Sequence, residues 1–227
     1  ESHYLETVHR LPCGFVSSGP VTKPSDQVAP PLSRQDVGLP EKAVVFACFN
    51  RPEKITPTRF SCWLKVLHQV PDALLWMIND HPRVQERLSD QVVAAGLDSQ
   101  RLVFSPMLES SRFAQACSLA DLLLDTSPYS SGATAVTALA AGLPLLTCPG
   151  DTFASRMGAS LCAATGLNEL ICTSLEEYQQ KAIDLGRKPA ELQRLRRHLL
   201  DHHDELPLFK TATWVGHFEN LLEHLLA

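Results

Sequence analysis

A chain of 227 residues, 44% hydrophobic and 20% charged, is long and apolar enough to bury a sizeable core as one domain, or at most two small ones, which excludes disorder and collagen-like repetition. Twenty Lys and Arg against twenty-five Asp and Glu leave a formal charge of -5 and no basic stripe, so a dedicated nucleic-acid binder is not expected. No apolar run reaches the roughly 18 to 20 residues that span a bilayer, and Glu1-Ser2-His3-Tyr4 opens no signal-peptide core. A soluble, cytoplasmic protein without membrane attachment is expected.

Residues 1–40 carry six prolines between Leu11 and Pro40 and few periodic apolar positions, so they are expected to run as an extended connector ahead of a domain at 41–227. From there six apolar runs follow: 43–48, 73–78, 102–104, 122–124, 144–148 and 170–172. They are continuous rather than alternating, as strands buried on both faces of a parallel sheet require. Between and after them, helical periodicity covers about 57–69, 83–95, 110–119, 132–142, 152–165 and 174–186. This alternation predicts an α/β fold, a Rossmann-like doubly wound parallel sheet of about six strands. Two further helices are expected at about 188–204 and 211–226. The second repeats Trp214, Phe218, Leu221, Leu222 and Leu225 on one face, which reads as a packing stripe. The seven cysteines are scattered without a C-x-x-C pair, and suit small buried hydrophobes in a reducing compartment.

An open parallel sheet binds its ligand beyond the carboxyl ends of its strands, where strand order reverses. After the first strand, Phe49-Asn50-Arg51-Pro52-Glu53-Lys54-Ile55-Thr56-Pro57 carries two cations and ends in an N-cap followed by proline. Arg51 or Lys54 reaching a phosphate and a merely solvated loop are both open readings. A dinucleotide-binding turn is disfavoured, because no glycine lies between Gly38 and Gly96. After the fourth strand, Ser130, Ser131, Gly132 and Thr134 stand at the entrance of an alanine-rich helix whose free N–H groups favour an anion. Close packing explains the alanines but not that hydroxyl cluster. In the third loop, Phe113 offers a ring on which a base can stack, or a core contact. Asp151 or Thr152 reads as an N-cap. No H-E-x-x-H, nucleophile-elbow or P-loop pattern occurs among the nine histidines and the glycines, so no metal site is expected.

The stretches Phe46-Ala47-Cys48-Phe49-Asn50, Lys54-Ile55-Thr56-Pro57, Arg101-Leu102-Val103-Phe104-Ser105-Pro106, Leu119 to Thr126, Ala141-Gly142-Leu143-Pro144 and Pro149 to Arg156 occur in an order and spacing similar to the C-terminal lobe of the O-linked N-acetylglucosamine transferase (SPINDLY) family. The resemblance implies one lobe of a two-lobed, GT-B type glycosyltransferase. That lobe would bind a UDP-sugar and take part in inverting transfer of N-acetylglucosamine from UDP-GlcNAc to Ser or Thr hydroxyls of a protein acceptor, without a metal or other cofactor. It further implies an upstream catalytic lobe and tetratricopeptide repeats in the parent chain. Lys54 matches the lysine that contacts the diphosphate and stabilises the UDP leaving group. Thr134 matches one of the paired threonines at the start of the phosphate-binding helix, Leu108 falls where backbone meets the uracil, and Arg51, which stands where animal members have glutamine, is a departure that still suits a phosphate.

Other positions depart from the family pattern. Gly132 and Ala133 replace a His-Thr pair, Phe113 replaces a histidine near the base, and Thr137 replaces an aspartate that holds the ribose. Two other expectations therefore stand beside the first: a UDP-glucose-dependent asparagine N-glycosyltransferase, or a non-catalytic nucleotide-binding or scaffold module with a degenerated site.

Overall fold

The computed structural model describes residues 4–12, 14–16, 18–19, 30–79 and 81–226; Cys13 and most of the proline-rich stretch at 20–29 lie outside the described residues. Five strands, β1 (Val44–Cys48), β2 (Ala73–Ile78), β3 (Leu102–Ser105), β4 (Leu122–Leu124) and β5 (Leu145–Leu146), pair in parallel in the order β3-β2-β1-β4-β5. Eight helices accompany them: α1 (Pro57–Gln69), α2 (Pro82–Ala94), α3 (Ser110–Leu119), α4 (Ala133–Ala140), α5 (Phe153–Ala164), α6 (Leu175–Gly186), α7 (Pro189–Asp201) and α8 (Thr211–Leu226). The continuous apolar runs are strands covered on both faces, since every residue of β2 and β4 is buried. Strand order reverses between β1 and β4, which fixes the switch point at their carboxyl ends.

Local chemistry sets the helix starts. Thr56 accepts the Arg59 amide hydrogen at 3.2 Å, with Pro57 in the first helical position of α1. At α5, Thr152 rather than Asp151 is the cap, and it exchanges hydrogen bonds with Ser155 in a capping box. Ser174 caps α6 on the Glu177 amide at 3.1 Å. The short α4 ends at Gly142, whose φ of +78° is the left-handed conformation that suits glycine.

Two expectations need correction. The sheet has five strands, not six, because the run at 170–172 is squeezed between a 3-10 turn (Asn168–Leu170) and the α6 cap at Ser174. It contributes one bridge, Ile171 to Thr147, in which Thr147 donates to the Leu170 carbonyl (3.0 Å) and accepts from the Cys172 amide (2.8 Å). The stripe on α8 is not a buried packing face among the described residues: Phe218, Leu222 and Leu225 are 39 to 51% exposed, and only half-buried Trp214 is anchored, donating to the Gly14 carbonyl at 3.0 Å. Residues 30–40, expected to be part of a connector, pack on the sheet. Val37 and Leu39 enter the core, and Arg34 pairs with Asp121 at 3.0 Å while donating to the Ala43 carbonyl at 2.8 Å.

The described cysteines are all unpaired thiols. Five are buried, and Cys148 is half-buried. Burial pushes the Cys48 and Cys172 thiols up to about 12 and that of Cys62 to about 11.

The core is tied to the sheet edge through Tyr178 of α6. Its hydroxyl accepts from Trp63 Nε1 of α1 at 3.1 Å and donates to the main-chain carbonyl of Asp125, just past β4, at 3.2 Å, while the Arg59 guanidinium lies 4.3 Å from its ring centre. The residue is fully buried, so replacing Tyr178 by Phe strands the Trp63 N–H without solvent. A loss of about 1 to 3 kcal/mol in urea-denaturation stability is expected for Tyr178→Phe; an unchanged midpoint would show that the hydroxyl contributes nothing.

Candidate functional site

The loops after β1 and β4 meet at the switch point. Ile55 pairs with Ser127 as a parallel bridge, so the two loops continue the sheet for one more rung. Residues Pro52–Lys54 form a 3-10 turn with Arg51 as its extended N-cap. Arg51 is exposed, and Lys54 is half-buried. The Lys54 ammonium donates to the Ser130 carbonyl at 3.3 Å and lies 3.9 Å from the centre of the Tyr129 ring. Burial holds its pKa below the ordinary lysine range, with Arg51 adding to that and the carboxylate of Asp125 opposing it.

Beneath this surface sits Asp125, only 1% exposed. One of its carboxylate oxygens accepts from the Thr126 amide (2.9 Å), the Ser131 amide (2.8 Å) and the Ser131 hydroxyl (2.8 Å). The other accepts from the hydroxyls of Ser130 and Thr147, the latter at 2.6 Å. Five donors fill a group with about four lone-pair directions. The Ser130 hydroxyl accepts in turn from the Gly158 amide at 2.8 Å, and the Asn50 side-chain amide donates to Thr126 Oγ1 (2.9 Å) and Ser131 Oγ (2.6 Å). The hydroxyl cluster at the helix entrance therefore has a different role from the one its sequence suggests. Ser130 and Ser131 are buried and occupied by Asp125, and they shape the loop from within instead of facing a ligand.

Gly132 is the N-cap of α4, without a side-chain capping bond, and Ala133 is exposed, so the start of the helix is free of side-chain caps. Thr134 is half-buried in the first turn. Thr137 turns its hydroxyl back to the Ala133 carbonyl at 3.3 Å, one turn earlier on the same helix. Met157 of α5 occupies the space beside Gly132, where an added Cβ would come within 2.7 Å of its methyl carbon.

The β3–α3 loop brings the remaining candidates to the same edge. Phe113 is half-buried and makes an edge contact with Phe49 (5.5 Å between centres), which makes another with the core residue Trp76 (5.0 Å). That ring packs against the core on one side, as one of its two sequence readings has it. Leu108 lines a cleft of about 620 Å³ together with Leu32, Val37, Phe104, Pro106 and Arg112. The structure thus gathers Lys54 and residues 132–134 around one edge, with Phe113 reaching it through Phe49. A second cleft of about 540 Å³, bounded by Lys42, Asp72, Asp121 and Arg187, opens at the amino ends of the strands, opposite the switch point. Among the described residues, no group of three His, Cys, Asp or Glu side chains is placed to hold a metal ion, and no helix is long and apolar enough to cross a membrane.

Sequence reasoning overlooked Asp125 and Asn50. An aspartate following a strand reads as an ordinary loop residue. The available signal was the surplus of small hydroxyls around it, more than helix capping needs.

Comparison with known proteins bears on the family and the fold. The family model described as "Glycosyl transferase family 41" matches residues 19–218. The Arabidopsis thaliana protein named "Probable UDP-N-acetylglucosamine--peptide N-acetylglucosaminyltransferase SEC" is 34% identical over 221 residues, which cover 95% of this chain and 22% of that one. A Caenorhabditis elegans UDP-N-acetylglucosamine--peptide N-acetylglucosaminyltransferase is 32% identical over 190 residues, covering 84% and 16%. Among solved structures, a K341M mutant of the Thermobaculum terrenum O-GlcNAc transferase superposes with a TM-score of 0.78 at 29% identity, covering 94% of this chain and 39% of that one. An Anabaena protein, HepE, solved with UDP and glucose, shares the fold at a TM-score of 0.61 and 16% identity. The chain spans about a fifth of the length of the curated relatives it matches.

The packing of α5 on the Asp125 network is a sensitive point. A Cβ on Gly158 would lie 2.3 Å from Asp125 Oδ2, 2.7 Å from Ser130 Oγ and 2.8 Å from Thr147 Oγ1. Gly158→Ala should therefore lower stability by about 1 to 3 kcal/mol or more, despite alanine's better helix propensity. Thermal denaturation checks this, and an unchanged or raised melting temperature would contradict it.

Proposed function

The chain belongs to glycosyl transferase family 41, and we propose that it is the nucleotide-sugar-binding lobe of an inverting protein glycosyltransferase, one that moves N-acetylglucosamine from UDP-GlcNAc to Ser or Thr hydroxyls. The observation that carries this reading is the Lys54 ammonium, held against the Ser130 carbonyl beside the uncapped start of α4. A diphosphate at that edge meets one cation and a row of amide hydrogens. As the bond between sugar and phosphate breaks, negative charge grows on the departing UDP, and groups already aimed there stabilise it without reorganising. In this reading Lys54 and helix amides answer that charge instead of a metal ion.

Around that centre, Arg51 is assigned to the outer phosphate face from the exposed loop. The amides at Gly132 and Ala133 and the amide and hydroxyl of Thr134 receive the inner phosphate. The cleft beside Leu108 takes the base edge, with Phe113 flanking it, and Thr137 lies one turn along α4 on the ribose side. The protein acceptor, a second catalytic lobe and tetratricopeptide repeats belong to the rest of the parent chain in this reading, which the far greater length of the relatives supports. A reducing, cytoplasmic setting accords with six unpaired thiols among the described residues.

A second reading, a nucleotide-binding module without turnover, is favoured by Thr137 spending its hydroxyl on Ala133 and by Met157 filling the space beside Gly132. Turnover of UDP-GlcNAc or UDP-glucose on acceptor peptides by the full-length protein excludes it, and the two donors run side by side identify the sugar.

Calorimetry of the full-length protein with UDP tests the main reading. Lys54→Ala should weaken UDP about tenfold or more, about 1.4 kcal/mol, and absence of UDP binding by the wild type would overturn the proposal. Burial lowers the Lys54 pKa, so its charge is lost as pH rises through a value below the ordinary lysine range. UDP affinity should fall on that alkaline limb, and the limb should vanish in Lys54→Ala.

A further inference from the structure

We propose that Asp125 is a positioning residue for Lys54: its buried carboxylate locks the loop after β4 to the loop after β1, and so fixes the ammonium at the edge where a nucleoside diphosphate is to be met. This rests on the reading that Lys54 meets the diphosphate.

A lysine head rides on a flexible four-carbon stem and holds one direction only if something fixes it. Two contacts do so here, the Ser130 carbonyl and the Tyr129 ring. Both belong to the loop that Asp125 shapes. Ser130 is constrained on every polar atom: its amide donates to the Ala154 carbonyl at 3.0 Å, and its hydroxyl donates to Asp125 while accepting from the Gly158 amide. Its carbonyl is thereby left to point at Lys54. Tyr129 is set by its own carbonyl, which accepts from Thr126 Oγ1 at 2.6 Å, and the Thr126 amide is bound to Asp125. The loop carrying Lys54 is pinned to the same frame through Asn50, whose amide reaches Thr126 and Ser131. Ser131 is itself held by Asp125 through both its amide and its hydroxyl.

The carboxylate acts on Lys54 in a second way. Among the described residues, the charged and titratable groups around the ammonium are Asp125 and Tyr129 from the β4 loop, Cys48 from β1 and Arg51 from its own loop. Burial and Arg51 disfavour the charged amine, while Asp125 favours it. Removing the carboxylate's charge without its shape should therefore both loosen the lysine and let it lose its proton at lower pH. A residue that merely stabilised the fold would do neither at full foldedness.

The test is UDP titration of the full-length protein across pH 7 to about 10 for wild type, Asp125→Asn, Asn50→Ala and Lys54→Ala, with folding checked by circular dichroism. Asp125→Asn should bind UDP about fivefold or more weakly at neutral pH, with its alkaline limb moved to lower pH. Asn50→Ala cuts the clamp but keeps the carboxylate, so it should weaken UDP by a similar factor and leave the limb in place. A folded Asp125→Asn protein whose alkaline limb does not move, whatever its affinity, overturns the proposal. If Asp125→Asn does not fold, wild-type UDP affinity in Asn50→Ala overturns it. A wild type that binds no UDP, or a Lys54→Ala protein that keeps the alkaline limb, strikes instead at the reading of Lys54 on which the proposal rests.

Discussion

A buried carboxylate needs partners, and at the carboxyl end of β4 that need organises everything nearby. Moving Asp125 out of water is tolerable only because five donors replace its hydration. Those donors come from the 125–131 loop and from Thr147 at the end of β5, while Gly158 of α5 joins through Ser130 and Asn50 joins from the β1 loop through Thr126 and Ser131. Four segments that are distant in sequence are therefore bound to one anion. The glycine at 158 follows directly, since no side chain fits against three oxygens already in contact. So does the depth of Ser130 and Ser131, which a surface role would have left in water.

With the interior of the switch point fixed in this way, its exterior is simple. The sheet order places the ends of β1 and β4 side by side, the bridge between Ile55 and Ser127 carries the pairing one step further, and α4 begins immediately beyond. One half-buried lysine and a set of helix amides then face outward from a rigid base. The attraction such a site offers a phosphate depends on holding those dipoles in place before the ligand arrives, and the polar network beneath them does that. The mild overall acidity of the chain is no obstacle to the proposed site, which would rely on local cations and peptide dipoles rather than on a basic surface.

The architecture was readable from sequence because buried parallel strands and amphipathic helices leave opposite patterns. The runs at 73–78 and 122–124 and the helices at 57–69, 110–119 and 211–226 occur at the residues the pattern assigns. Strand number was less legible: an apolar triplet such as Leu170-Ile171-Cys172 looks the same whether it forms a strand or a single bridge, and the neighbouring turn and helix cap decide. The stripe on α8 obeys helical spacing, yet spacing alone does not supply the surface it packs on. At the site, Lys54 and the α4 entrance could be located from loop position. The division of labour between Ser130 and Ser131 inside and Gly132 to Thr134 outside could not, because a hydroxyl beside a helix start suits a ligand and a buried aspartate equally well until the fold brings Asp125 underneath.

Gly132 and Ala133 at the start of α4 have almost no side chain to offer, so an anion docked there as proposed would be met at these two positions by peptide bonds. Peptide bonds are common to every sequence. Drift at positions 132 and 133 can therefore rewrite the letters without erasing the contact, provided the helix starts at the same place and in the same direction. If the proposed site is right, departures from the family's usual residues at 132 and 133 say little about whether that contact is kept. Change in the scaffold beneath, where Asp125, Ser130 and Gly158 interlock, is the mutational record that carries the information.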